Sequence, residues 1–197
     1  MSIFEMYLKL GISHITDLKG YDHILFLLTL CAVYTVSEWR RVLILITAFT
    51  IGHTSTLVLA TFNIIRIDSG LIEFLIPLTI FITAISNILL KTENVSLRFH
   101  IFKYITAMFF GLIHGFGFSN YLRSLLLQEE NLALPLFSFN LGIEIGQILI
   151  IIGIFLLAVI FIRFLKMAQR DWSLILSGMG LGVSIILMLE RNPFILK

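Results

Sequence analysis

The sequence predicts an all-α, polytopic membrane helix bundle: about six transmembrane helices plus an N-terminal amphipathic segment. Three observations carry this. Hydrophobic residues make up 58% of the chain and charged residues only 13%, against about 25% charged in a typical soluble domain, so the solvent for most of the surface is lipid. Apolar segments recur along the chain, most of them near the roughly 20 residues needed to cross a bilayer core. A spanning segment must also satisfy its own backbone hydrogen bonds, which makes each of them a helix.

Taken in order, residues 3–15 mix Phe4, Met6, Leu8, Leu10 and Ile12 with Glu5, Lys9 and His14. That pattern is too short and too polar to span and suggests an amphipathic helix lying at the membrane interface. Six spanning candidates follow at 21–37, 41–62, 70–90, 101–121, 133–163 and 172–190. The first is short. The fifth is long enough to tilt or to emerge from the bilayer. The chain reads as a single transmembrane domain over 1–197, with no low-complexity linker, no internal repeat and no cleaved signal peptide.

Basic residues orient the bundle. The connections near 37–41, 91–103 and 163–172 hold Arg40, Arg41, Lys91, Arg98, Lys103, Arg163, Lys166 and Arg170, whereas 62–70 and 121–133 hold only Arg66 and Arg123. Positive loops stay in the cytoplasm, which places both termini outside. A formal net charge of +2 is too small to point to nucleic acid, and the single Cys31 permits neither an intrachain disulfide nor a cysteine metal cluster. The partners this composition implies are membrane lipid and, from the groups below, a metal ion.

Ionisable groups interrupt four of the apolar segments. Asp22 and His23 open the first, His53 lies in Gly52-His53-Thr54-Ser55, His114 in Gly111-Leu112-Ile113-His114-Gly115, and Glu144 in Gly142-Ile143-Glu144-Ile145-Gly146. At about 1.5 Å per residue, His53 lies roughly 18 Å past Arg41, His114 roughly 16 Å past Lys103, and Glu144 roughly 13 Å past Pro135. In a core about 30 Å thick these three fall in one layer slightly outside the midplane, while Asp22 and His23 sit nearer the outer rim. Such residues cost on the order of 2.5–3.5 kcal/mol at mid-helix and usually face the bundle interior. The expectation is one shared polar site.

Imidazole and carboxylate together suit nickel, cobalt, iron or zinc, and the absence of thiolates argues against Cu(I). His23 reads as a ligand, and Asp22 as a second ligand or as the acceptor that orients an imidazole. Glu144 fits a ligand, a general base or a proton carrier. Polar stripes at Thr47/Thr50 and Thr79/Thr83/Asn87 read as helix–helix hydrogen bonds, and the stripe Asn140/Glu144/Gln147 supports an inward face for Glu144. His100 reads as a solvated loop residue, and Glu73 and Glu190 as interfacial.

Gly20-Tyr21-Asp22-His23-Ile24-Leu25-Phe26, preceded by His14-Ile15-Thr16-Asp17, resembles the opening signature of the HupE/UreJ family of bacterial integral membrane proteins. The stretches Thr47–Leu57, Phe110–Phe118 and Phe139–Gln147 are similar to its later blocks, in order. The resemblance implies a nickel or cobalt permease of the bacterial inner (cytoplasmic) membrane, with His14, Asp22, His23, His53, His114 and Glu144 as its metal path. A second chemistry fits the same residues: an intramembrane zinc-dependent hydrolase acting on a lipid or lipid-linked substrate. In that scheme the imidazoles hold zinc, Glu144 or Asp22 is the base, and Asn140, Ser55 or Gln147 binds an oxyanion. The bland reading is a structural bundle whose polar groups only pair helices.

Overall fold

The computed structural model describes residues 1–65, 67–89, 97–126, 129 and 131–193, without the side chains of 97–99. Arg66, Lys91 and Lys197 lie outside these residues, as does the Arg98 side chain, and with them part of the topology signal. The described residues are helical with short connections: α1 (Ile3–Thr16), α2 (Asp22–Cys31), a 3-10 turn (Val36–Glu38), α3 (Trp39–Thr61), α4 (Ser69–Leu89), α5 (Leu97–Leu126), α6 (Ala133–Ala158) continued by a π-helical turn (Val159–Phe164), and α7 (Gln169–Glu190).

Five segments are long and apolar enough to cross a membrane: Val36–Thr61, Ser69–Leu89, His100–Leu126, Ala133–Phe164 and Gln169–Glu190. They correspond to the last five of the six candidates. The first candidate is realised as the 10-residue α2, which at about 1.5 Å per residue covers roughly half of a bilayer core. Its remainder, 32–35, is non-helical and leads into the turn before α3.

The N-terminal helix is amphipathic, burying Tyr7, Gly11 and Ile15 while Ile3 and Met6 stay exposed. Its start is held by a capping box between Ser2 and Glu5. It does not lie flat on a surface. It runs lengthwise along α6, because small residues on both helices allow their backbones to touch. A Cβ at Gly11 would collide with the Phe139 carbonyl oxygen and stand 3.0 Å from the Ile143 nitrogen. One at Gly142 would collide with the Leu8 carbonyl oxygen and stand 3.0 Å from the Ile12 nitrogen. Residue numbers rise together on the two helices, so α1 and α6 are parallel.

The same contact recurs between α3 and α5. A Cβ at Gly111 would collide with the Phe49 carbonyl oxygen and stand 3.0 Å from the His53 nitrogen. One at Gly52 would collide with the Met108 carbonyl oxygen and stand 3.0 Å from the Leu112 nitrogen. Gly11-Ile12-Ser13-His14 thus corresponds to Gly111-Leu112-Ile113-His114, and Phe139-Asn140-Leu141-Gly142 to Phe49-Thr50-Ile51-Gly52. This is a recurrence of one packing contact, in which small residues let two helix backbones approach. The matching helices are not consecutive in the chain, so no tandem period shows.

The two pairs run in opposite directions. They meet along α3 and α6, where Thr54 donates to Asn140 Oδ1 and Thr50 to Gln147 Oε1, so residue numbers rise on one helix as they fall on the other. Around them α4 and α7 pack on each other, and α2 is wedged between α4, α6 and α7. Asn87 Nδ2 on α4 donates to the Thr29 carbonyl of α2 at 2.7 Å, and Gly180 on α7 admits the Thr29 side chain. The largest apolar cluster, with Phe26, Phe49, Leu45, Ile46 and Ile80 fully buried, lies between α2, α3, α4 and α5.

Two residues assigned to the basic connections are inside the helix instead. Lys103 is 6% exposed, and its Nζ donates to Asn87 Oδ1 at 3.1 Å. His100 is buried in the first turns of α5, its ring centroid 6.3 Å from that of Tyr34. The helix α5 begins earlier than the hydropathy pattern suggests, which carries both side chains into the bundle.

Candidate metal centre

Four imidazoles from four helices converge. His14 ends α1, His23 opens α2, His53 lies at mid-α3 and His114 on α5. The His23 ring lies between His14 and His114, each three residues after a glycine in close backbone contact, its centroid 4.7 Å from His14 and 5.1 Å from His114. His53 is 5.8 Å from His14 and 6.0 Å from His23. Potential ligand atoms of His14, His23 and His53 all lie within 4.8 Å of one another.

The local sequence explains the convergence. His53 and His114 each sit beside the glycines that lock α3 to α5, so both rings project from one rigid contact. His14 is placed by the equivalent contact of α1 on α6. Lys19 N donates to Asp17 Oδ1 at 2.9 Å, a turn that folds the chain back after α1 and delivers His23.

His53 and His114 are fully buried and His23 is 8% exposed. Five of their nitrogens are buried without a hydrogen-bond partner: His14 Nε2, His23 Nε2, both nitrogens of His53, and His114 Nδ1. Each such group costs about 1–3 kcal/mol when left unsatisfied. Five together approach the total stability of a domain, about 5–15 kcal/mol. A borderline divalent ion is the species that satisfies several imidazole lone pairs at once, so the donor set fits a transition metal.

The surroundings give the cluster one open side. Phe118 lies against His14 with ring centroids 3.9 Å apart and is stacked on Phe139. Phe26 and Phe49 close the base at 5.0 and 5.2 Å from His114. Above the rings is a cavity of about 340 Å³ lined by His14, His23 and His114 and, at its rim, by Asp17, Asp22, Glu73 and Arg191. Three carboxylates against one guanidinium favour cations at the mouth. Sequence reasoning missed Asp17 and Arg191 and assigned Glu73 only to the interface. A carboxylate next to a histidine was the available signal for Asp22; nothing local marks the others.

Asp22 and Glu144 do not stand among the imidazoles. Asp22 is paired with Arg191 at 2.9 Å. The single shared site expected of Glu144 is corrected: its Oε1 accepts from Thr47 Oγ1 at 2.7 Å, in a separate α3–α6 groove with Thr50, Thr54, Ser55 and Asn140. Glu144 presents the wrong helix face, because α6 turns Phe139 and Ile143 inward to the α1 contact, and its partner Thr47 lies roughly 9 Å before His53 along α3. The Thr47 and Thr50 stripe forms interhelix hydrogen bonds as expected.

A multi-pass helical membrane protein with a buried histidine cluster under an acidic cavity is the class these features define. The chain belongs to the HupE/UreJ family. The family model described as HupE / UreJ protein matches residues 1–191, essentially its whole length, and that family is associated with nickel and cobalt transport. No curated protein matches the chain, and no solved structure does.

Proposed function

We propose that this protein is a divalent transition-metal permease of the bacterial inner membrane, of nickel or cobalt type, with both termini outside. One observation carries the reading: His14, His23 and His53 offer ligand atoms within 4.8 Å of one another in a site whose buried nitrogens lack protein partners. The metal is cargo. It enters from the cavity, drawn by Asp17, Asp22 and Glu73, and exchanges its hydration water for imidazole. The same donor set accommodates zinc.

The paired-helix architecture supports transport. Rocking of one helix bundle against another around a central site is a recurrent basis of alternating access, and the two glycine-locked pairs, which run in opposite directions, are candidates for such rigid units. The pair α1–α6 contributes His14, and α3–α5 contributes His53 and His114. Phe26 and Phe49 separate the cluster from the Lys103 end, so rocking must part them for the ion to leave.

The hydrolytic reading needs a carboxylate free to act as base beside the metal. Of the two carboxylates assigned that role, Asp22 is ion-paired and Glu144 lies in another groove. Asp17 and Glu73 line the cavity, so it is the family's association with nickel and cobalt transport that favours the permease. The test is nickel and cobalt uptake into proteoliposomes, with metal analysis of the purified protein. Flux that disappears in His53→Ala supports the permease; stoichiometric, non-exchanging zinc with no flux rejects it.

A further inference from the structure

Thr79 on α4 makes two contacts through one atom. Its Oγ1 lies 2.7 Å from the Ile76 carbonyl oxygen and 3.0 Å from His114 Nε2. A hydroxyl has one hydrogen to donate. A carbonyl oxygen can only accept, and a 2.7 Å oxygen–oxygen contact holds only if the proton lies between the two. The hydrogen of Thr79 is therefore committed to Ile76, and the hydroxyl meets His114 with a lone pair. His114 Nε2 must supply the proton, which places the ring's own lone pair on Nδ1. That nitrogen is fully buried and has no partner.

We propose that Thr79 is a positioning residue that holds His114 in the Nε2–H tautomer and so leaves the Nδ1 lone pair to join, as a fourth nitrogen once the ion is bound, the group of His14, His23 and His53. The ligand atoms of those three lie within 4.8 Å of one another without it, and the His23 ring is 5.1 Å from that of His114. The inference rests on the metal-binding reading of the cluster and adds to it the atom and the residue that select it. An imidazole whose second nitrogen is anchored is a better oriented and more basic ligand, and loss of such an anchor typically lowers metal affinity 10- to 100-fold. A four-nitrogen set also favours borderline ions over Mg²⁺ and Ca²⁺, which prefer oxygen.

The tautomer is read first without metal, by ¹⁵N NMR of histidine-labelled protein in liposomes, with His114 assigned by its loss in His114→Gln. Nε2–H in the wild type is expected; Nδ1–H overturns the proposal. Binding of Co²⁺ is then followed by its visible absorption in wild type, Thr79→Val and Thr79→Ser. Thr79→Val is expected to lose the tautomer preference and to bind Co²⁺ 10- to 100-fold more weakly, with loss of intensity from one nitrogen donor. Thr79→Ser, which keeps the hydroxyl, is expected to restore both. Equal affinity and equal spectra in wild type and Thr79→Val overturn the role of Thr79. A wild type that shows Nε2–H but binds no Co²⁺ overturns the metal-site reading instead.

Discussion

His14 on α1 and His114 on α5 stand in the same register of two helix pairs that run in opposite directions, each three residues after the glycine that touches its partner helix. The ring of His23 lies between them at nearly equal distances. The cluster therefore sits where the two helix pairs meet. The close backbone contacts are inside the pairs, and the seam between α3 and α6 is a row of side-chain hydrogen bonds.

Locking that seam is expected to stop transport. In a Cys31→Ala background, Thr54→Cys and Asn140→Cys replace two side chains already in hydrogen-bond contact. Oxidation to the disulfide is expected to abolish nickel flux in proteoliposomes while metal binding stays within about threefold, and reduction is expected to restore flux. Undiminished flux from fully cross-linked protein would remove the rocking mechanism.

Replacing His53 separates function from stability. His53→Leu removes two unpartnered buried nitrogens from a site with no exposure. The metal-free variant is expected to be as stable as wild type, or up to about 1–3 kcal/mol more stable, in detergent melts. The stabilisation that Ni²⁺ or Co²⁺ confers on wild type is expected to vanish. A variant that loses stability without metal and keeps the metal-induced shift would place His53 in a packing role.

Glu144→Gln keeps an acceptor for Thr47 and removes a charge outside the cluster. Metal affinity by calorimetry is expected to stay within about twofold of wild type. A drop of tenfold or more would show that the carboxylate reaches the ion, contrary to its place in the α3–α6 groove.

Glycine identity is expected to matter most where backbones touch and not where the position faces open space. Gly52→Leu forces a side chain into the Met108 carbonyl and is expected to cost more than about 3 kcal/mol, in the range of severe core disruption. Gly153→Leu, on α6 with nothing within 4 Å of the added Cβ, is expected to fold as wild type. Thermal melts and detergent-resistant yield report both, and equal behaviour of the two would contradict the glycine-locked pairs.

Much of this protein is determined by its sequence alone, because hydrophobicity and backbone satisfaction act locally. The five long helices follow from apolar runs, and the candidate ligands from ionisable side chains that have no cheap place in lipid. Depth along each helix was legible as well, since rise per residue is constant, and it put His53 and His114 in one layer. Rotation about each helix axis was not. It depends on which face finds a partner close enough to touch, and only the tertiary structure decided that. The glycine contacts drew His14 inward on a helix expected to lie on the surface, and they turned Glu144 toward Thr47 and away from the imidazoles. They also paired α1 with α6 and α3 with α5, helices too far apart in the chain for any local signal to connect.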